Sequence, residues 1–95
     1  MQGTITGNDF TEDRAWTVDV ELHPGYEIPD KGHRAICFKT TGEMIPQYQI
    51  HFSDVEELGG MRIRLTFEHY DSHQYQPEFE NAMTAGNYIA LEVRE

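Results

Sequence analysis

Apolar and polar positions alternate with a period of two along most of the chain. Trp16, Val18, Val20 and Leu22 alternate with Thr17, Asp19 and Glu21, the pattern of a strand with one buried and one solvated face. His23-Pro24-Gly25 breaks this strand, and Pro29, Asp30, Lys31 and Gly32 prolong the loop. A second strand is predicted over 34–40. Ile36 and Phe38 share one side and Ala35 and Cys37 the other, which suits a strand covered on both faces or near a barrel corner. Thr40-Thr41-Gly42-Glu43 ends it as a turn. Tyr48, Ile50 and Phe52 alternate with Gln47, Gln49 and His51, giving a third strand. The stretch 54–60, with three acids and a Gly-Gly pair, reads as a connection. The clearest strand follows, with Met61, Ile63, Leu65 and Phe67 on one side and Arg62, Arg64, Thr66 and Glu68 on the other. Residues 71–79 read as a long polar loop. Gly86 precedes a last strand, where Ile89, Leu91 and Val93 alternate with Tyr88, Ala90, Glu92 and Arg94.

No stretch carries apolar residues at i, i+3, i+4 and i+7, so no helix is predicted. At least five alternating strands separated by turn residues predict an all-β barrel or sandwich. Closure is the usual protection for the edges of a small all-β chain. Residues 1–14 are polar and aperiodic, and Thr4 and Ile5 make a short strand or a terminal arm. The expected organisation is therefore an arm or short strand over 1–14 and one β-barrel domain over 15–95. A length of 95 residues fits one small domain.

Three segments add a family resemblance. Gly32-His33-Arg34-Ala35-Ile36-Cys37-Phe38-Lys39-Thr40-Thr41-Gly42 resembles the Gly-Tyr-Arg-x-x-x-x-Arg-Thr-Thr segment in the C-terminal β-barrel domain of elongation factor Tu. Asp54 to Leu65 resembles the strand of that domain entered through a Pro-Gly turn, and Ala82 to Glu95 resembles its closing strand. Together these span roughly 15–95 in the same order. The resemblance implies a small six-stranded antiparallel β-barrel of the translation-factor type. In that family the barrel packs on a GTPase domain and helps hold aminoacyl-tRNA and an exchange factor. This chain has no Gly-x-x-x-x-Gly-Lys-Ser/Thr loop to cradle nucleotide phosphates, and His33 stands where the family has Tyr. What the resemblance implies here is a standalone barrel used as a docking surface, without nucleotide.

Charge narrows the partners. Seven Lys and Arg stand against seventeen Asp and Glu, a formal charge of −10. Nucleic-acid binding draws most of its affinity from basic side chains that release counterions, so the balance argues against nucleic acid. An acidic surface favours a basic protein partner, or serves solubility alone. Mean hydropathy is low at −0.65. Five Tyr, five Phe and one Trp nevertheless supply enough apolar area for a core. A single Cys excludes an internal disulfide framework. The apolar runs are too short to span a membrane, and the first ten residues show no signal-peptide pattern. The expectation is a cytoplasmic protein without membrane association.

Candidate chemistry is sparse. His33 and Arg34, where a loop meets a strand, and Arg62 and Arg64, on the polar side of the clearest strand, are the expected partner-binding residues. The plainer reading of Arg62 and Arg64 is pairing across strands with some of the seventeen acids. Arg34 has its own plain reading, an ion pair that fixes the loop. His69, Asp71 and His73 form H-x-D-x-H, three groups suited to a divalent transition metal if one strand face gathers them. Against this, the spacing straddles a strand end and a polar loop. Cys37 reads as a small packed side chain, since no neighbour lowers its pKa. The adjacent pairs Glu12-Asp13 and Glu56-Glu57 read as solvated carboxylates, not as an acid–base pair in a shielded pocket. Five His raise the charge from −10 toward −5 on protonation below about pH 6, so solubility is expected to fall toward the isoelectric point near 4.7.

No catalytic residue, metal or cofactor is expected. The leading expectation is a non-catalytic protein-interaction module. The alternatives are an acidic inhibitor or immunity protein that covers a basic nuclease or nucleic-acid site, and a metal-binding protein or enzyme built on His69, Asp71 and His73.

Overall fold

The computed structural model describes residues 3–10, 15–26, 34–45, 52–67 and 76–92. Its elements run β1 (Gly3–Asp9), β2 (Trp16–Leu22), β3 (Arg34–Phe38), β4 (Phe52–Gly59), β5 (Arg62–Phe67), α1 (Gln76–Ala82) and β6 (Tyr88–Glu92). All strand pairings are antiparallel, in the order β3-β6-β1-β2-β5-β4.

The register follows from the alternation. Trp16 lies opposite Phe67, Val18 opposite Leu65 and Val20 opposite Ile63. All six are fully buried. A slip of one residue would turn every one of them to water, which fixes the pairing. Burying one such large side chain contributes about 1.5–3 kcal/mol relative to leaving it exposed. Phe52 of β4 and Ile5 of β1 extend the core on either side, and Cys37, Met83 and Ile89 extend it toward β3 and β6. Aromatic edges meet faces inside it: Phe52 and Phe67 are 5.9 Å apart at 78°, and Phe10 and Trp16 are 5.6 Å apart at 73°.

Two elements differ from the sequence expectation and one goes beyond it. The short strand offered as one reading of Thr4 and Ile5 runs over Gly3–Asp9, inside the sheet and paired with β2 on one side and β6 on the other. Gly3 is required there, because a Cβ at this position would stand 2.5 Å from Val20 Cγ1 and 2.9 Å from the Glu21 carbonyl oxygen. Asp54–Gly59, expected as a connection, belongs to β4. Register shifts between Phe52 and Asp54 and between Glu57 and Gly59 break its period of two, so no alternation is visible in its sequence. Residues 76–79, expected in a loop, open the helix α1. At seven residues, α1 is too short to show a helical stripe. Pro77 in its first turn needs no intrahelical N–H partner, and Glu78 faces the positive end of the peptide dipoles.

The end of α1 is tied to the sheet. The Thr84 hydroxyl donates to the Glu80 and Asn81 carbonyls at 2.9 and 3.1 Å, and Asn87 Nδ2 donates to the Ala82 carbonyl at 3.1 Å. These bonds satisfy carbonyls that a helix end leaves open. Gly86 N–H donates to the Ile5 carbonyl and Ile5 N–H to the Asn87 carbonyl, which joins the turn to β1.

The expected closed barrel is corrected in one respect. Among the described residues no ladder joins β3 to β4, and the sheet is an open series of six strands. The two end strands are shielded by other means. The chain after β3 folds back on it, with a bridge between Phe38 and Met44 and a bond from Ile45 N–H to the Cys37 carbonyl at 2.9 Å. β4 carries exposed Asp54, Glu56 and Glu57 and two bulges, all of which discourage edge-to-edge pairing. Residues 47–51 of the expected third strand lie outside the described residues, and its Phe52 opens β4. Glu68 and Val93 also lie outside them.

Candidate functional site

The best-defined polar surface is the outer side of β1, β2, β5 and β4. Ile63, Leu65 and Phe67 point into the core, so Arg62, Arg64 and Thr66 point out of it. Register then builds three rows across the strands. Asp9, Thr17, Thr66 and Asp54 form one, Gly7, Asp19, Arg64 and Glu56 the next, and Thr4, Glu21, Arg62 and Gly59 the third. Asp9, Asp19, Glu21, Asp54 and Glu56 thus share this surface with Arg62 and Arg64.

Arg64 sits at its centre. Its Nε donates to Asp19 Oδ1 at 2.8 Å and its Nη2 to Asp19 Oδ2 at 3.3 Å, a fork that matches the carboxylate plane. Glu56 Oε2 lies 3.9 Å from Nη1 on the other side. The hydrogen bond to Asp19, and next its charge, push the Arg64 guanidinium above its ordinary pKa. Arg64 is therefore engaged by carboxylates of its own sheet, as cross-strand pairing anticipates. Arg62 is exposed, between Glu21 and Gly59 in register, and forms no ion pair among the described residues.

Of the other expected site residues, Arg34 is described, and it lies elsewhere. Arg34 opens β3 and lies opposite Glu92 of β6, with three strands between β3 and β5. His33, His69, Asp71, His73, Glu12 and Asp13 lie outside the described residues. Among the described residues no group of three or more His, Cys, Asp or Glu is placed to hold a metal ion. Glu56 and Glu57 are exposed neighbours on β4, opposite Arg64 and Ile63 respectively, so they leave the strand on different sides.

Cys37 is fully buried, and its thiol donates to Met83 Sδ at 3.3 Å. Burial pushes that thiol from an ordinary 9.0 up to about 12, which keeps it protonated at neutral pH. An open hollow of about 410 Å³ lies between Lys39, Thr40 and Thr41 on one side and Asn81, Thr84 and Asn87 on the other. Lys39 pairs there with Glu43 at 3.4 Å, and both side chains are well exposed.

Sequence reasoning singled out Arg62 and Arg64 and missed the carboxylates arranged around them. Asp19 and Glu21 were visible as outward positions of β2. Asp54 and Glu56 were hidden by the bulges of β4, and Asp9 by the aperiodic start of the chain.

No family model, no curated protein and no solved structure matches this chain. Its surface chemistry therefore carries the functional argument.

Among the described residues no helix is long and apolar enough to cross a membrane.

Proposed function

We propose that this chain is a non-catalytic protein-interaction domain whose acidic sheet face docks on a basic protein surface. The observation that carries the reading is the set Asp9, Asp19, Glu21, Asp54 and Glu56 around Arg62 and Arg64 on one face. Arg64 is taken up by Asp19 and Glu56, while Glu21 and Asp54 stand exposed to a partner. This local excess adds to a net charge of −10. Together they steer cationic surfaces toward the face and repel anionic ones.

The likeness to the elongation factor Tu barrel supports the same kind of use. The segments that resemble it fall on β3 and its turn, on the β4–β5 hairpin, and from the end of α1 through β6. We read the sheet as a relative of the translation-factor barrel, used for docking without nucleotide. An acidic inhibitor or immunity protein is the form this reading takes if the basic partner is a nuclease.

Affinity capture with the full chain tests the reading. The bait is compared with the variant Glu21→Lys/Asp54→Lys/Glu56→Lys, checked by circular dichroism for an unchanged fold. Basic proteins should be retained by the native chain at low salt and released by about 0.5 M salt, where the screening length is only a few ångströms. The variant should lose them. Equal retention by both baits, or retention indifferent to salt, would contradict the proposal.

A further inference from the structure

The β4–β5 hairpin turns through Gly59, Gly60 and Met61, all with positive φ, at 85°, 60° and 65°. Glycine enters this region freely, whereas an L side chain there crowds the following carbonyl oxygen. Among the described residues Met61 is the one non-glycine residue with positive φ. The fold uses its backbone, since the Met61 carbonyl accepts the Leu22 N–H at 2.8 Å. A glycine would keep that bond and relieve the crowding. The Met61 side chain is 45 % exposed. Leu58, the unpaired extra residue of the bulge between Glu57 and Gly59, is 39 % exposed. Two large apolar side chains thus stand out at one hairpin tip of a polar, acidic chain. One of them sits where the backbone disfavours any side chain. An exposed side chain held at such an outlier points to a use on the outside.

The surroundings say what the tip fits. Glu56 and Glu57 are exposed on β4 just before it, and Glu21 is exposed on β2 opposite Arg62. We infer that Leu58 and Met61 form an apolar finger that seats in a hydrophobic cleft of a protein partner, with Glu21, Glu56 and Glu57 meeting basic residues on the rim of that cleft. Charge complementarity selects this occupant. A second copy of the chain would bring another −10, and an anionic membrane surface would meet the same repulsion. A desolvated apolar anchor inside a polar rim is where protein interfaces concentrate affinity. The inference rests on the protein-interaction reading above and names its anchor.

Two synthetic peptides of equal length and charge serve as probes, one alternating Lys with Leu and one alternating Lys with Ser. Each is titrated into the full chain and followed by amide resonances. The Lys-Leu peptide should shift residues 58–61 and bind about tenfold more tightly than the Lys-Ser peptide, as loss of one anchor would predict. The double variant Leu58→Ser/Met61→Gly should erase that difference and leave Lys-Ser binding unchanged. Met61→Gly alone should raise the melting temperature by a few degrees, which separates strain relief from damage to the fold. Equal affinity for the two peptides, shifts centred away from 58–61, full Lys-Leu affinity in the double variant, or a lower melting temperature for Met61→Gly would each overturn the finger. Lys-Ser binding without preference for Lys-Leu overturns the finger alone. Failure of both peptides to bind overturns the acidic-face reading with it.

Discussion

Single residues set the limits of what this chain can do. Cys37 is the plainest case. Its thiol is buried against Met83 and pushed up to about 12, so a nucleophilic thiolate is absent near neutrality. A disulfide reagent at pH 8 should therefore label the folded protein far more slowly than the denatured one, and equal rates would show the side chain to be accessible. The same shift carries a pH consequence. The unfolded chain loses this proton at about 9.0 and the folded chain at about 12. The thiol's contribution is thus whole below pH 9 and is lost as pH rises through that window. Gly3 is a second limit. Its missing Cβ makes room for Val20 and for the Glu21 carbonyl. Gly3→Ala should cost about 1–3 kcal/mol of stability, the range of an overpacked interior. Chemical denaturation measures this, and an unchanged midpoint would show that β1 can move away.

At the level of elements, legibility followed local regularity. β2 and β5 could be read directly, because Trp16–Leu22 and Arg62–Phe67 keep a strict period of two and bury every second residue, but Met61, expected on the buried side of β5, instead ends the turn before it and is exposed. β6 was visible for the same reason through Ile89 and Leu91, both buried. β4 escaped because each bulge resets the alternation, so Val55 and Phe52 reach the core on different phases. α1 escaped because seven residues supply two turns and leave Ala82 as its buried apolar position among those described. The pairing of Arg64 with acids was foreseeable in kind. Its partners Asp19 and Glu56 needed the register of three strands. The same architecture predicts a gradient of sensitivity from centre to edge. Leu65→Ala, at a fully buried position between Val18 of β2 and Val55 of β4, should cost about 2–5 kcal/mol. Val55→Ala, half-buried on the end strand, should cost clearly less, and equal losses would mean that β4 is as well packed as β5.

For the whole molecule, the decisive property is an acidic surface laid over a mainly aliphatic core that includes Phe10, Trp16, Phe52 and Phe67. A charge of −10 makes copies of the chain repel one another at neutral pH, and that repulsion fades as the pH falls toward the isoelectric point. Turbidity should therefore peak near pH 4.7, the isoelectric point, and a clear solution through pH 4–5 would contradict that account. The central claim is that the carboxylates of one sheet face, and not acidity in general, meet the partner. Zero-length carbodiimide crosslinking of the complex obtained by affinity capture, read by mass spectrometry, tests it most directly. Partner lysines should join to Glu21, Asp54 and Glu56 and spare Glu43, Glu78 and Glu80, which are exposed elsewhere on the molecule. Crosslinks spread evenly over all six, or concentrated on Glu43, Glu78 and Glu80, would place the contact away from the face and contradict the claim.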